Sequence, residues 1–390
     1  MRTHVYVDDK TGEKHCTCFK RCGGCQLDMS YTDQLKWKMD KAERMLSKFC
    51  RVEPIIAMKD PYNYRNKVQT VFSYDHRRQL ISGIYQSTSR RMVATEDCML
   101  EDKVCTKAAR VLKKVMLEYK IRPYDPKTNK GFIRHLLARY SRATGQLMMC
   151  ICVQDTLSFP KKMIASELSR NLPELETVVL NVNNAPLPLS LSDNNIVLYG
   201  KGYIEDIILG KRFKISPRSF YQVNSVQTEK LYSEVIRAAD LKPTDVVFDA
   251  YCGTGTIGIL CADKAGQVIG SELVKDACAD AKYNVEVNGL NNVEIINSDA
   301  GRFMASAARK KKHVDVVITD PPRAGCDKRF MRFLFKLAPS RVVYVSCKIE
   351  SLEKDLRTLT GNGYKVTHIQ PVDMFPHTTG IETVCLLEKQ

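Results

Sequence analysis

The chain is predicted to be an α/β protein, with a doubly wound parallel sheet in its C-terminal half, an α+β region with a mainly antiparallel sheet before it, and a small cysteine-rich segment at the start. Three observations carry this. After residue 216, short apolar runs alternate with glycine or acidic turns and helical stretches, the rhythm of parallel strands joined by crossover helices. Between residues 52 and 215 the runs alternate apolar and polar residues, as half-covered antiparallel strands do. Up to about Gln26 the chain is rich in cysteine and glycine and reads as loop. A length of 390 residues suits two or three cores, with boundaries expected at 1–50, 51–215 and 216–390.

Each element has its own signal. Ser30-Tyr-Thr-Asp-Gln-Leu-Lys-Trp-Lys-Met-Asp-Lys-Ala-Glu-Arg-Met-Leu-Ser-Lys48 offers an N-cap serine or threonine, apolar residues at helical spacing and neither Gly nor Pro, which predicts a helix with a lysine-rich exposed face. Lys67-Val-Gln-Thr-Val-Phe-Ser-Tyr74, Gln146-Leu-Met-Met-Cys-Ile-Cys-Val153 and Thr177-Val-Val-Leu-Asn-Val182 read as strands, with helices over 103–119 and 162–171. The later strands are Val246-Val-Phe248, Gln267-Val-Ile269, Val293-Glu-Ile-Ile296, Val314-Asp-Val-Val-Ile-Thr319 and Arg341-Val-Val-Tyr-Val345, with a helix over 275–288 between two of them.

Lys and Arg number 60 against 44 Asp and Glu, a formal charge of +16 that favours a polyanionic partner such as nucleic acid. The first ten residues have no apolar stretch, and no run of about 18 apolar residues occurs, so neither secretion nor membrane spanning is expected. A cytoplasmic protein is the default, with no obligate protein partner indicated. Its 15 cysteines are then expected to be reduced thiols, metal ligands or catalytic groups.

Val247-Phe-Asp-Ala-Tyr-Cys-Gly-Thr-Gly-Thr-Ile-Gly258 leaves the first strand of the later sheet and opens a helix, and Gly253 and Gly255 permit a tight turn with close backbone approach to a ligand. The glycine spacing also satisfies a dinucleotide fingerprint. Asp249 argues against that: a carboxylate at this strand end opposes a pyrophosphate but complements the sulfonium of S-adenosylmethionine. Glu272 after the second strand suits ribose hydroxyls, and Asp299 after the third suits an adenine edge. Together they indicate a Rossmann-like class I methyltransferase domain.

Strand four runs into Asp320-Pro-Pro-Arg-Ala-Gly325, a stiff loop whose Asp can bond a base edge or the cofactor. Amino-methylating enzymes place an aromatic residue after the prolines; Arg323 stands there instead. Strand five ends in Val343-Tyr-Val-Ser-Cys-Lys348. Uracil C5 is a poor nucleophile, but thiolate addition at C6 turns it into an enolate carbon, so Cys347 beside a methyl donor has a purpose, and Lys348 is expected to raise its thiolate fraction. A base must then remove the C5 proton, and Phe375-Pro-His-Thr-Thr-Gly-Ile-Glu382 supplies Glu382, with His377 orienting the loop or exchanging protons.

With these motifs in place the chain resembles the bacterial and archaeal family of RNA uracil-5-methyltransferases, which modify 23S rRNA or the T-loop of tRNA. The resemblance rests on Ser216-Pro-Arg-Ser-Phe-Tyr-Gln-Val-Asn224, the 249–255 loop, Asp320-Pro-Pro-Arg-Ala-Gly325, Val345-Ser-Cys347 and Met374-Phe-Pro-His-Thr378 with Glu382, in order through the C-terminal half. It implies that Cys347 is the nucleophile, that Glu382 is the base, and that Gln222, Tyr251, Glu272, Asp299 and Asp320 line the cofactor and base site. The family usually follows its nucleophile with Asn-Pro, where this chain has Lys348-Ile349, and often has a second His where Gly380 stands.

Cys16, Cys22 and Cys25, with the distant Cys98, form a soft thiolate set suited to zinc or an iron-sulfur cluster; taking Cys18 in place of Cys98 would make a compact zinc site. The resemblance, carried here by Cys-x5-Cys-Gly-Gly-Cys with Gln-Leu and Ser-Tyr after it and by Cys98-Met-Leu, implies a [4Fe-4S] cluster on Cys16, Cys22, Cys25 and Cys98 and leans the substrate toward 23S rRNA over tRNA. Only about fifteen residues precede Cys16, too few for the β-barrel RNA-binding domain many relatives carry. RNA is therefore expected on the central α+β RNA-binding domain and the basic helix, with candidate phosphate contacts at Arg65, Lys67, Arg90, Arg91, Arg134, His135 and Arg139.

Overall fold

The alternation after residue 216 resolves into one seven-stranded sheet in the computed structural model, which describes residues 4–8, 12–86, 89, 91–156, 159–184 and 191–390. Its strands are β1 Val246–Ala250, β2 Gln267–Glu272, β3 Val293–Asn297, β4 Val316–Thr319, β5 Arg341–Ser346, β6 Tyr364–Val372 and β7 Glu382–Lys389, ordered β3-β2-β1-β4-β5-β7-β6. β1 to β5 are parallel, and β7 inserts antiparallel between β5 and β6. The order reverses beside β1, so the crossover helices diverge there and a crevice opens at the carboxyl ends of the strands. Val247, Phe248, Val316, Val317, Val342 and Val343 are fully buried, as continuous apolar strands must be when both faces are covered.

The chain divides into two compact units. The one holding this sheet comprises Met29–Asp60, Ile207–Lys214 and Ser219–Gln390. Helix Tyr31–Leu46 belongs to it: Ser30 Oγ accepts the Asp33 N–H at 3.1 Å as the N-cap, and Ala42 and Leu46 join Phe248, Tyr344 and Leu352 in the core. Two of its lysines, and Lys48 just past its end, are engaged by the protein, while Lys36 is exposed. Lys38 is buried, while Lys41 and Lys48 pair with Glu350 and Glu353 on helix Ile349–Thr360. The expected RNA-contacting lysine face is to that extent committed to the protein itself.

The other unit, Met1–Asp28, Pro61–Asp206 and Ile215–Arg218, holds a second seven-stranded sheet. Its order is Met92–Ala94, Leu80–Tyr85, Lys67–Tyr74, Ile133–Tyr140, Leu147–Val153, Leu175–Val182 and Asn195–Tyr199. Pairing is antiparallel except between Leu147–Val153 and Leu175–Val182, which helix Lys161–Asn171 joins as a crossover. That helix and Lys103–Glu118 share a core with one face of the sheet. The cysteine-rich start is more ordered than the loop expected: Val5–Val7 pairs with Lys14–Cys16, and Phe19–Cys22 makes one helical turn ended by Gly23 at φ 69°. Among the described residues no helix is long and apolar enough to cross a membrane.

Candidate active site

Sheet register assembles the site before any side chain is considered. Ser346 of β5 faces Thr383 of β7 as the last pair, and extending that register by one step brings Cys347 level with Glu382, whose charge acts on the thiol. Thr319 of β4 pairs with Tyr344 and Ala250, which sets Asp320 at the same sheet end. Ala250 pairs with Ser271, bringing Glu272 level with Tyr251 at the start of the glycine loop. Nucleophile candidate, base candidate and acidic strand ends thus come from five strands of one edge.

The loop after β1 runs through three left-handed residues, Tyr251 (φ 62°), Gly253 (φ 57°) and Gly255 (φ 79°), which turns its amides inward. Glu272 accepts the Gly253 N–H at 3.0 Å and the Val274 N–H at 2.7 Å. Asp249 accepts the Gly258 N–H at 2.8 Å, and a side chain at Gly258 would stand 2.9 Å from that carboxylate. Burial raises the Asp249 carboxyl to about 7, with the charges of Asp320 and Glu272 adding to the shift. Tyr251 packs its ring on Phe330, and Asp299 caps helix Ala300–Arg309 by accepting the Arg302 N–H at 2.9 Å.

Around Cys347 the field is acidic. Burial and the charges of Glu382 and Asp320 raise the thiol above its ordinary value, and Arg323 opposes them. Arg323, from the Asp-Pro-Pro-Arg loop, is thus the cation acting on the sulfur, a place expected of Lys348; Lys348 is exposed, with its charge bearing on Glu350. Glu382 is raised to about 8 by burial and by Asp320, and Asp320 to about 7 by burial. Gly380 fits the loop for a steric reason: a Cβ there would meet the Phe375 ring at 3.2 Å.

One residue escaped sequence reading. Tyr232, on helix Ser225–Ala239, has a buried hydroxyl that takes a hydrogen bond from the Gln222 amide and lies within the fields of Asp320, Glu382 and Asp249. A tyrosine at helical core spacing carries no local sign of such surroundings.

In the other unit the cysteines draw together. Cys25, raised to about 12 by burial, feels the charges of Cys22 and Cys16, and Cys98 feels that of Cys25. Backbone N–H groups of Cys18 and Gly24 point at the sulfurs of Cys16 (3.4 Å) and Cys22 (3.3 Å), and those of Leu100 and Glu101 at Cys98. Buried Cys18 also couples to Cys16 and Cys22. Among the described residues no three His, Cys, Asp or Glu side chains converge closely enough to hold a single metal ion. Of the expected phosphate contacts, Arg134, His135 and Arg139 are buried; Arg134 bonds Gln154 at 3.0 Å and the Asn183 carbonyl at 2.7 Å. They face the protein, because Ile133–Tyr140 is a central strand covered on both sides. Arg65 and Lys67 are half-buried, burial bringing Lys67 down to about 8; Arg91 is exposed, and Arg90 lies outside the described residues.

A sheet of this order, with a glycine turn after its central strand and acidic ends on the strands beside it, defines a class I methyltransferase. The family model for tRNA (uracil-5-)-methyltransferase matches residues 30–390, and the chain belongs to that family. It is 39% identical over 382 residues to an RNA methyltransferase of Halalkalibacterium halodurans, covering 96% of this chain and 83% of that one. A Caldanaerobacter subterraneus RNA methyltransferase is 41% identical, with 96% and 84% covered. Among solved structures, Pyrococcus abyssi tRNA (uracil-54, C5)-methyltransferase in complex with S-adenosyl-L-homocysteine superposes with a TM-score of 0.80 at 26% identity, covering 99% of this chain and 92% of that one.

Proposed function

We propose that the protein methylates C5 of a specific uridine in RNA through a covalent adduct on Cys347, with Glu382 as the base. The observation that carries this reading is the β5–β7 register, which, extended by one step, brings Cys347 level with Glu382 beside Asp320. S-adenosylmethionine, when bound, supplies an electrophilic methyl carbon on a positively charged sulfur. The residues fit it: Asp249 is a buried carboxyl and Asp320 a partly buried one, both raised to about 7, so that a neighbouring positive charge favours their ionised forms, and the space beside Gly253 is open. Glu272 would hold the ribose, Asp299 the adenine edge, and Gln222 and Tyr251 the flanks of the site.

The thiolate of Cys347 adds to uracil C6, moving the C5–C6 electron pair toward the O4 enolate; C5 then bonds the methyl carbon with that pair, and the electrons of the broken methyl–sulfur bond would stay on the donor sulfur. Glu382 then accepts the C5 proton. The electron pair of the broken C5–H bond re-forms the C5–C6 double bond, and the C6–sulfur bond breaks to release the Cys347 thiolate, which restores the site. A carboxyl raised to about 8 suits the step, since it takes a proton from carbon more readily than an ordinary glutamate.

Within this reading we assign 23S rRNA as the substrate, on the resemblance of the cysteine segment to cluster-bearing rRNA enzymes. A T-loop uridine of tRNA is the second reading, favoured by the likeness to the Pyrococcus abyssi enzyme. Incubation with labelled S-adenosylmethionine and separated, unmodified 23S rRNA and tRNA distinguishes them. Label at C5 of uridine in 23S rRNA is the expected outcome; label in tRNA alone supports the second reading, and label in neither refutes the activity.

The same reading gives Cys16, Cys22, Cys25 and Cys98 a [4Fe-4S] cluster, which would staple the segment 4–28 to the turn before Met99. Its support is the mutual coupling of these thiols and the N–H groups aimed at them. Anaerobically prepared protein is expected to hold iron and acid-labile sulfide in equal amounts, lost in Cys98→Ala and kept in Cys18→Ala. Stoichiometric zinc without iron would overturn the assignment.

A further inference from the structure

The segment between β6 and β7 is held with unusual completeness. Helix Tyr31–Leu46 presents Gln34 and Lys38, one turn apart and both fully buried, to residues 373–377. Lys38 Nζ lies 2.5 Å from Asp373 Oδ1 and donates to the Phe375 carbonyl at 3.0 Å; the Tyr31 hydroxyl donates to Asp373 Oδ2 at 2.7 Å. Gln34 Oε1 accepts the His377 N–H at 2.7 Å, and Gln34 Nε2 reaches the Met29 carbonyl at 2.9 Å and His377 Nδ1 at 3.1 Å. With the Gln34 oxygen committed to a backbone donor, its amide nitrogen must donate to Nδ1, so the imidazole is held neutral at that nitrogen. From another side, Asn224 and Gln227 donate to the Met374 and Asp373 carbonyls at 2.9 and 3.0 Å.

Stability alone does not account for this. Two charges sealed in a core are commonly no better than apolar side chains of the same shape, whereas their directional bonds fix one geometry. His377 keeps a left-handed backbone (φ 65°), a conformation that persists for a bulky residue where the surroundings over-determine it. Five residues after His377, the chain delivers Glu382 level with Cys347.

We propose that Gln34 and Lys38 are positioning residues for the base: they fix segment 373–377, and through it set the carboxylate of Glu382 against the C5 proton of the Cys347 adduct. The proposal rests on the base assignment above and extends it to a helix remote in sequence. A displacement of about 1 Å at such a step costs up to about a hundredfold in rate, while the nucleophile and cofactor loop on other strands stay in place.

The test is a single-turnover assay of Gln34→Ala and Lys38→Met with unmodified 23S rRNA and tRNA transcripts and S-adenosylmethionine. It reads the denaturation-resistant protein–RNA conjugate and the release of methylated RNA separately. Both variants are expected to form the conjugate within about twofold of the wild-type rate and to release product about tenfold or more slowly, so that conjugate accumulates; Lys38→Arg should restore part of the release. Should Lys38→Met fail to fold, Gln34→Ala still decides, since it leaves the ion pair intact. Activity falling only with the folded fraction, or unchanged release, would overturn the inference. Glu382→Gln in the same assay separates the two levels: no conjugate there sinks the base assignment itself, while conjugate there and none in the helix variants sinks this inference alone.

Discussion

Cys347→Ala is expected to lower methylation by at least about a thousandfold while leaving S-adenosylmethionine and RNA binding close to wild type. Without the sulfur, C5 keeps the weak nucleophilicity of free uracil. The side chain is small, half-buried and beyond the last β5–β7 pair, so the sheet should tolerate its loss. Binding assays and a melting curve then separate chemistry from folding. Cys347→Ser should fare little better, because a hydroxyl ionises far less readily than a thiol and is a poorer nucleophile, and the charges of Glu382 and Asp320 disfavour its anion further.

Glu382→Gln is expected to slow turnover by about a hundredfold to ten-thousandfold. Its signature differs from that of the thiol variant: adduct formation survives, the C5 proton stays in place, and methylated RNA remains bonded to Cys347. The wild-type release step should rise with pH until about 8, where Glu382 ionises, and that limb should vanish in the variant. Stability follows with a defined sign. The folded carboxyl keeps its proton to about 8, whereas an unfolded glutamate loses it near about 4.3, so the native state loses stability as pH rises between those values. Glutamine has no proton to lose. The melting temperature of Glu382→Gln relative to wild type should therefore be higher at pH 9 than at pH 5, in protein free of S-adenosylmethionine.

Much of the architecture was legible because local signals agreed. Strand Lys67–Tyr74 and helix Tyr31–Leu46 lie where alternation and helical spacing put them, and of the serine and threonine offered as caps the serine, Ser30, serves. β6 was not anticipated, since Tyr364–Val372 contains Pro371 and switches from alternating to continuous burial along its length. Its shape depends on the partner strand, which no local window contains. Asp249, Glu272, Asp320, Cys347 and Glu382 could be picked out as strand ends, and register then brought them to one edge.

What the sequence concealed was direction. Lys38 and Arg139 are charged residues that a local reading assigns to solvent or to phosphate, yet both are buried, one on Asp373 and the other in a strand covered on both faces. Lys348 adjoins Cys347 in the chain while Arg323, twenty-four residues earlier, acts on its sulfur. Tyr232 shows the same limit, for its helical spacing speaks only of a core position and not of the carboxyls its hydroxyl meets.

Peptide mass spectrometry of the conjugate formed by Glu382→Gln with its RNA substrate and S-adenosylmethionine tests the central claim most directly. A methylated uridine linked to the peptide containing Cys347, absent when Cys347→Ala is added to the same chain, is the predicted result. Full turnover by Cys347→Ala, or a uridine bonded to any other residue, would contradict it.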